Sequence, residues 1–262
     1  MNIILICALA GICGTFLGCL IYVVIGGKSS RAIGWALAFA GGVMLSLVFF
    51  ELIPEAYDNA GIPATAVGMI VGAALIMAIH FLVDKLTDPS GGKHKSFHSH
   101  ELHTHIDHTP TDSHSMIRSG IMMLIAIGLH NIPEGMAIGS GGSHDAQLGL
   151  IVALMIALHN VPTGMAIAAP LIAGGMSRPK VYLLTAMSGL PTLAGGFLGM
   201  AVGNISDLAF ALSLAGSGGT LLYVALMEII PHSFRSIKVP YALGMLITGV
   251  LTGLLAIHFL AG

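Results

Sequence analysis

The 262-residue sequence predicts an all-α integral membrane protein with eight transmembrane helices, and three observations carry that prediction. Only 8% of the residues are charged, against roughly 25% in an ordinary soluble domain. The mean hydropathy is +0.92. Eight apolar stretches are each long enough to cross a bilayer, and they lack the alternating polarity of barrel strands.

The predicted helices 1 to 8 cover residues 3–26, 33–55, 64–83, 117–140, 147–172, 180–203, 207–231 and 240–260. We divide the chain into helices 1–3 (1–83), a polar segment (84–116), helices 4–5 (117–172) and helices 6–8 (173–262). Glycines four residues apart, such as Gly68 and Gly72, recur in these helices and predict close helix packing.

The basic residues predict the orientation of the chain in the membrane. All ten lie at or within connections that follow odd-numbered helices: Lys28, Arg31, Lys85, Lys93, Lys95, Arg118, Arg178, Lys180, Arg235 and Lys238. Basic loops face the cytoplasm, so both termini are expected on the non-cytoplasmic side. The sequence has no basic patch of the kind that binds nucleic acid, which excludes that class of partner.

The connection between helices 3 and 4 is rich in histidine. Residues 84–116 contain His94, His98, His100, His103, His105, His108 and His114 among polar residues. Such a segment cannot bury a core, and imidazole is a common metal ligand, so we expect a mobile cytoplasmic loop that binds Zn²⁺ weakly. The alternative is a polar linker with no metal-binding role.

Helices 4 and 5 carry two copies of one motif. Residues 130–138 read HNIPEGMAI and residues 159–167 read HNVPTGMAI, with seven of nine positions identical. Adjacent helices run in opposite directions, so the copies form an inverted pair. Transporters use such pairs to build a binding site near the middle of the membrane.

The polar residues of the motif have the spacing of metal ligands. His130 and Glu134 share one helix face, and His159 occupies the matching position on helix 5. Asn131 and Asn160 add carbonyl oxygens. Nitrogen and carboxylate ligands together suit Zn²⁺, and also Fe²⁺, Mn²⁺ and Co²⁺. The alternative is a pair of kinked helices joined by polar side chains.

Helices 2 and 7 contain a weaker echo of this pattern. Glu51 and Glu55 on helix 2, and Glu228 and His232 on helix 7, are four residues apart with a proline between them. We interpret them as part of an ion route or a regulatory metal site. The alternative is that they lie at the membrane interface.

These features together resemble the ZIP family of divalent metal transporters, near its prokaryotic-type zinc-uptake branch, over the whole chain. The resemblance implies a 3+2+3 helix arrangement with inverted repeats, often dimeric, in the plasma (inner) membrane. It implies uptake of Zn²⁺, Fe²⁺, Mn²⁺, Co²⁺ or Cd²⁺ by alternating access, with no organic cofactor. It assigns ligand positions to His130, Asn131 and Glu134 on helix 4, and to His159 and Asn160 on helix 5.

The sequence departs from the family pattern at two positions. Thr163 in helix 5 and Thr192 in helix 6 stand where the family usually has acids that help to build a two-metal site. We therefore predict a mainly mononuclear site in which Glu134 is the carboxylate.

Two other functions compete with transport. An intramembrane metal-dependent hydrolase needs about three zinc ligands and an open water position, but its usual HExxH motif is missing. A transport-dead metal sensor would bind ions without moving them, and the two threonines favour it. The inverted copy favours a transporter, and the chain has no Walker A motif, so we expect passive or gradient-driven transport and no enzyme activity.

Overall fold

The computed structural model describes residues 2–24, 30–87 and 113–261, and all their regular structure is helical. The α-helices are α1 (Ile3–Ala8), α2 (Gly14–Val24), α3 (Ser30–Leu47), α4 (Ile53–Thr87), α5 (Ser113–His144), α6 (Ala146–Ala173), α7 (Arg178–Met187), α8 (Leu190–Gly203), α9 (Asp207–Val224), α10 (Ile230–Ser236) and α11 (Val239–Ala261). Three π-helical turns, Leu9–Cys13, Val48–Leu52 and Ala225–Ile229, join α1 to α2, α3 to α4 and α9 to α10.

Seven helical runs in the described residues are long and apolar enough to cross a membrane. They are Ile3–Val24, Ile33–Ile79, Met116–His144, Ala146–Ala173, Arg178–Gly203, Asp207–Ser236 and Val239–Phe259. The second run has 47 residues, and Gly61 interrupts its helical geometry with φ 72° and ψ 176°. A positive φ of this size favours glycine because a Cβ would be strained there.

Apolar side chains also cover the outside of the bundle. On α11, Ile247, Leu251, Leu255 and Phe259 are spaced four apart and are each more than half exposed. A soluble protein rarely exposes a continuous apolar stripe of this kind, whereas lipid solvates it favourably. The surface therefore agrees with the predicted class of integral membrane protein.

Glycines allow the motif helices to pack closely on their neighbours. A Cβ on Gly135 of α5 would overlap the carbonyl oxygen of Thr192 on α8. In the same way, a Cβ on Gly164 of α6 would overlap the carbonyl oxygen of Thr15 on α2. The two motif helices contact each other and are flanked by these partners, so the polar residues between them are held in the centre of the bundle.

The regularly spaced glycines hold this chain's own helices together. Gly18 packs against Val161, Gly72 against Gly216, Gly195 against Ile132 and Gly249 against Phe39. These glycines pack against other helices of the same chain, so they provide no evidence for the expected dimer.

The polypeptide departs from the prediction in two regions near the site. Helix 6, predicted as continuous over 180–203, is broken at Ser188 and Gly189 between α7 and α8. Pro191 follows the break, and proline lacks the N–H that a continuous helix would use. Helix 1 likewise contains the π-helical turn Leu9–Cys13. Both irregular regions lie beside the motif helices.

Both ends of the predicted polar segment 84–116 are helical, because α4 continues to Thr87 and α5 begins at Ser113. Residues 88–112 lie outside the described part of the chain. The predicted metal-binding histidines His94, His98, His100, His103, His105 and His108 are therefore outside it too.

Candidate metal centre

The polar residues of the two motifs meet in the interior of the bundle. His130 is 3% exposed, and Asn131, Glu134, His159 and Asn160 are completely buried. Glu134 is the one acidic side chain among the buried residues of the described chain. A buried carboxylate is costly unless polar partners surround it, so the contacts of Glu134 define the site.

One oxygen of Glu134 lies between two histidines. The Nε2 atom of His159 is 3.0 Å from Oε1 of Glu134, within hydrogen-bond distance. The Nε2 atom of His130 is 3.6 Å from the same oxygen. The two imidazoles come from different motif copies, so the structure brings together the three residues that the sequence predicted as the principal ligands.

The second ring nitrogen of His159 faces a backbone carbonyl. Nδ1 lies 3.3 Å from the carbonyl oxygen of Met155. A carbonyl only accepts hydrogen bonds, so it favours a proton on Nδ1. The lone pair of Nε2 then becomes available to an ion once the proton between Nε2 and Glu134 is displaced. Metal-binding histidines are commonly oriented by such a partner.

The two asparagines connect the motif helices to the irregular backbone beside them. Asn160 Nδ2 donates to the carbonyl of Ala10, in the π-helical turn, over 3.2 Å. Asn131 Nδ2 donates to the carbonyl of Ser188, at the break before α8, over 2.7 Å. Asn160 Nδ2 also lies 3.4 Å from Oε2 of Glu134. The sequence did not predict this second role of the asparagines.

Neutral hydroxyl groups occupy the two positions where the resemblance leads one to expect acids. Thr163 Oγ1 donates to the carbonyl of Asn160 over 2.9 Å and is 3.4 Å from its Oδ1. Thr192 is completely buried. Among the described residues, the site therefore has a single carboxylate, that of Glu134.

The histidines and the carboxylate are in contact with one another rather than spread around a central point. Within the described residues, no group of three or more His, Cys, Asp and Glu side chains is arranged to hold a metal ion as it stands. An ion that binds here must enter between His159 and Glu134 and replace their hydrogen bond.

A separate cavity of about 340 Å³ lies at one end of α5 and α6. Glu51, Glu55, His144 and Asp145 supply its ionisable groups, and Gln147, Leu148 and Ile151 complete the lining. The sequence predicted a role for Glu51 and Glu55 but missed His144, whose ring stacks on Phe210 at 4.1 Å. Glu228 and His232 do not line this cavity.

Comparison with known proteins decides the family. The family model described as ZIP zinc transporter matches residues 1–261 of the chain. The chain belongs to the ZIP zinc transporter family. As a ZIP protein whose described residues include seven apolar helical runs, it is an integral multi-pass membrane protein and a transporter of divalent metal rather than an enzyme.

Several bacterial ZIP relatives are similar to it over nearly their whole length. The zinc transporter ZupT of Chlorobium limicola is 33% identical over 258 residues, which cover 96% of this chain and 94% of the relative. The zinc transporter ZupT of Chlorobium phaeovibrioides is 33% identical over 98% of this chain and 97% of its own. The zinc transporter ZupT of an Enterobacter species is 31% identical over 88% and 86%.

Proposed function

We propose that the protein carries Zn²⁺ into the cytoplasm through a mononuclear site formed by His130, Glu134 and His159. The contact that carries this proposal is the 3.0 Å approach of His159 to Glu134, because it joins the two motif copies at one point. Asn131 and Asn160 complete the site as oxygen donors and as anchors of the flanking backbone.

The chemistry of these residues suits a borderline cation. Two imidazole nitrogens and a carboxylate are typical zinc ligands, and Fe²⁺, Mn²⁺, Co²⁺ and Cd²⁺ accept the same donors. The ion would take the place of the proton between His159 and Glu134. One carboxylate leaves a bound dication with a net positive charge in a buried site, so we expect modest affinity and ready release.

The 340 Å³ cavity is the proposed entrance. The positive-inside rule assigns the connection between α5 and α6, and with it this cavity, to the non-cytoplasmic side. The carboxylates of Glu51 and Glu55 would raise the local concentration of cations there. Glu134 has no exposed surface, so the ion site is closed to this entrance and a conformational change must open it.

The 47-residue run Ile33–Ile79 is proposed to cross the membrane twice, which gives the predicted eight helices. A straight helix of this length would extend about 70 Å, more than twice the hydrocarbon thickness of a bilayer. The positive φ of Gly61 supplies the turn. The parts before and after it also have different partners, since α3 packs on α11 and α4 packs on α9.

An inverted repeat of helices 1–3 in helices 6–8 is the proposed 3+2+3 arrangement. Glycines, glutamates and prolines recur 177 positions apart without a gap: Gly18 and Gly195, Gly42 and Gly219, Glu51 and Glu228, Pro54 and Pro231, Gly72 and Gly249. Equivalent contacts recur with them: Gly42 approaches the carbonyl of Leu246, and Gly219 approaches the carbonyl of Met69. Two of the π-helical turns, Val48–Leu52 and Ala225–Ile229, also lie 177 positions apart in the sequence.

This repeat suggests a role for the helix 7 residues. Glu228 corresponds to Glu51 and His232 corresponds to Glu55, but the inverted orientation places them toward the opposite side of the membrane. We assign Glu228 and His232 to the exit route. The His-rich segment would then receive the ion in the cytoplasm, and both termini would lie outside the plasma (inner) membrane. The homodimer stays an expectation of the family resemblance.

The proposal is tested by reconstituting the purified protein in liposomes with an internal zinc indicator. A saturable Zn²⁺ influx is expected, with Fe²⁺, Mn²⁺, Co²⁺ and Cd²⁺ competing in proportion to their affinity for the site. Zinc binding without influx of any of these ions would overturn the proposal that zinc is carried through this site.

A further inference from the structure

The cavity of about 340 Å³ is lined by three carboxylates and a single imidazole. The carboxylates belong to Glu51, Glu55 and Asp145, and the imidazole belongs to His144. The other lining side chains are one amide and two hydrocarbon groups. His144 is therefore the one residue in this lining whose side chain has a nitrogen lone pair to offer a metal ion.

The connection between α5 and α6 holds His144 in a defined position. His144 is the last residue of α5, and Asp145 alone separates it from α6. Asp145 caps α6, because its Oδ1 accepts hydrogen bonds from the backbone N–H groups of Gln147 at 2.6 Å and Leu148 at 2.9 Å. A connection of one capping residue leaves the backbone of His144 little freedom to move.

Phe210 orients the ring of His144 without blocking its nitrogens. The two rings stack with their centroids 4.1 Å apart and their planes inclined by 12°. Stacking covers a face of the imidazole, whereas its lone pair and its N–H lie in the plane of the ring. Phe210 is completely buried on α9, which packs against α4, the helix that carries Glu55. The stack therefore holds the imidazole beside the carboxylates of the cavity.

The carboxylates of the cavity do not by themselves select the transported ion. Their negative charge attracts any dication, and Mg²⁺ and Ca²⁺ prefer oxygen ligands. Zn²⁺ and similar borderline ions bind oxygen too, but they also gain from an imidazole nitrogen. Since specificity is a difference of affinities, one nitrogen among the oxygens favours the borderline ions.

We propose that His144 is a specificity-determining residue at the entrance, where its imidazole favours Zn²⁺ and similar borderline ions over Mg²⁺ and Ca²⁺ before they reach Glu134. The contact is transient, because no group of three or more His, Cys, Asp and Glu side chains in the described chain is arranged to hold a metal ion. The ion exchanges one water for the imidazole nitrogen and keeps the others. This inference rests on the proposed function, in which the cavity is the entrance.

Inhibition of Zn²⁺ influx into liposomes by excess Mg²⁺ tests the assignment. His144→Phe keeps an aromatic ring against Phe210 but removes both nitrogens, and we expect Mg²⁺ to inhibit this variant at roughly three- to tenfold lower concentration than the wild type. Gln147→Ala removes another exposed side chain from the same cavity and should be inhibited like the wild type. Unchanged inhibition in His144→Phe, or an equal change in both variants, would overturn the inference.

Modification of the wild-type protein by diethyl pyrocarbonate, followed at each histidine by mass spectrometry, requires no variant. Saturating Zn²⁺ is expected to slow the carbethoxylation of His144 at least about threefold, whereas Mg²⁺ at the same concentration should not slow it. His258, an exposed histidine on α11 outside the cavity, should react at the same rate with either ion. Equal rates at His144 with the two ions would overturn the inference, whereas a wild type without saturable Zn²⁺ influx would overturn the proposed function.

Discussion

His159 Nε2 lies 3.0 Å from Oε1 of Glu134, and this contact joins the two copies of the HN-x-P motif in the centre of the bundle. The residues come from α6 and α5, which run in opposite directions, and neither side chain is exposed. The carbonyl of Met155 holds the other nitrogen of the ring. A hydrogen bond that an ion can replace therefore lies where the two repeats meet.

Asn160 is expected to stabilise the site by anchoring the π-helical turn of helix 1. Asn160→Ala removes a buried donor from the Ala10 carbonyl and from Glu134, and should lower the free energy of unfolding by about 1–3 kcal/mol. Asn204→Ala removes a similar hydrogen bond, to the Met200 carbonyl, from an exposed helix end. It should lower the free energy of unfolding by less than Asn160→Ala does. Denaturation in detergent measures both, and equal losses would contradict the anchoring role.

Restoring acids at the two threonines is expected to create a second metal position. Thr163 and Thr192 are buried near Glu134, so carboxylates there would repel one another in the metal-free protein. We expect the double variant Thr163→Glu/Thr192→Glu to be less stable than wild type without zinc and to bind about two zinc ions instead of one.

Elemental analysis of the purified proteins gives the number of bound zinc ions. Thermal denaturation with and without zinc shows how much the bound ions stabilise each protein. One ion in both proteins would mean that the threonines do not limit the site to a single metal.

Gly135 is expected to be essential for the packing of α5 on α8. Gly135→Ala would place a Cβ against the Thr192 carbonyl, and overpacking of this kind typically costs about 1–3 kcal/mol. Gly128→Ala on the same helix is the control, because its Cβ would meet Pro191 at 3.8 Å, an ordinary contact. Thermal denaturation should give a lower Tm for Gly135→Ala than for Gly128→Ala. A wild-type Tm in Gly135→Ala would contradict the close approach of α5 to α8.

Glu51 is expected to assist entry of the ion without binding it in the central site. Glu51→Gln removes a carboxylate from the 340 Å³ cavity, the proposed entrance, and should raise the zinc concentration for half-maximal uptake roughly three- to tenfold, with little change in maximal rate. Asp58→Asn changes an exposed acid that does not line the cavity and should have a smaller effect. A loss of maximal rate in Glu51→Gln would place Glu51 in the transport step instead.

The sequence alone predicts the core of the site because local rules determine it. His130 and Glu134 are one helical turn apart, and the antiparallel arrangement of neighbouring helices brings His159 to them. These three positions required no knowledge of the remaining helices. The contacts of Asn131 and Asn160 could not be predicted in this way, since they depend on backbone irregularities in distant helices.

The proposed repeat between the first and last thirds of the chain is hard to recognise from the sequence alone. Most of its matching positions are glycines, which are common in membrane helices, so only the Glu-Pro pattern of helices 2 and 7 stands out. The contacts distinguish these glycines from the others, because Gly42 and Gly219 meet equivalent carbonyls. The 340 Å³ cavity likewise depends on tertiary packing, which explains why His144 was missed.

Zinc uptake and zinc binding by Glu134→Gln, measured on one preparation, test the central claim most directly. The amide keeps the size of the side chain but removes the one buried carboxylate of the described residues, so we predict that saturable influx disappears and zinc affinity falls by at least about tenfold. Asp207→Asn, at an exposed helix end, should behave like wild type. Wild-type influx and affinity in Glu134→Gln would contradict the account, because the transported ion would then bind elsewhere.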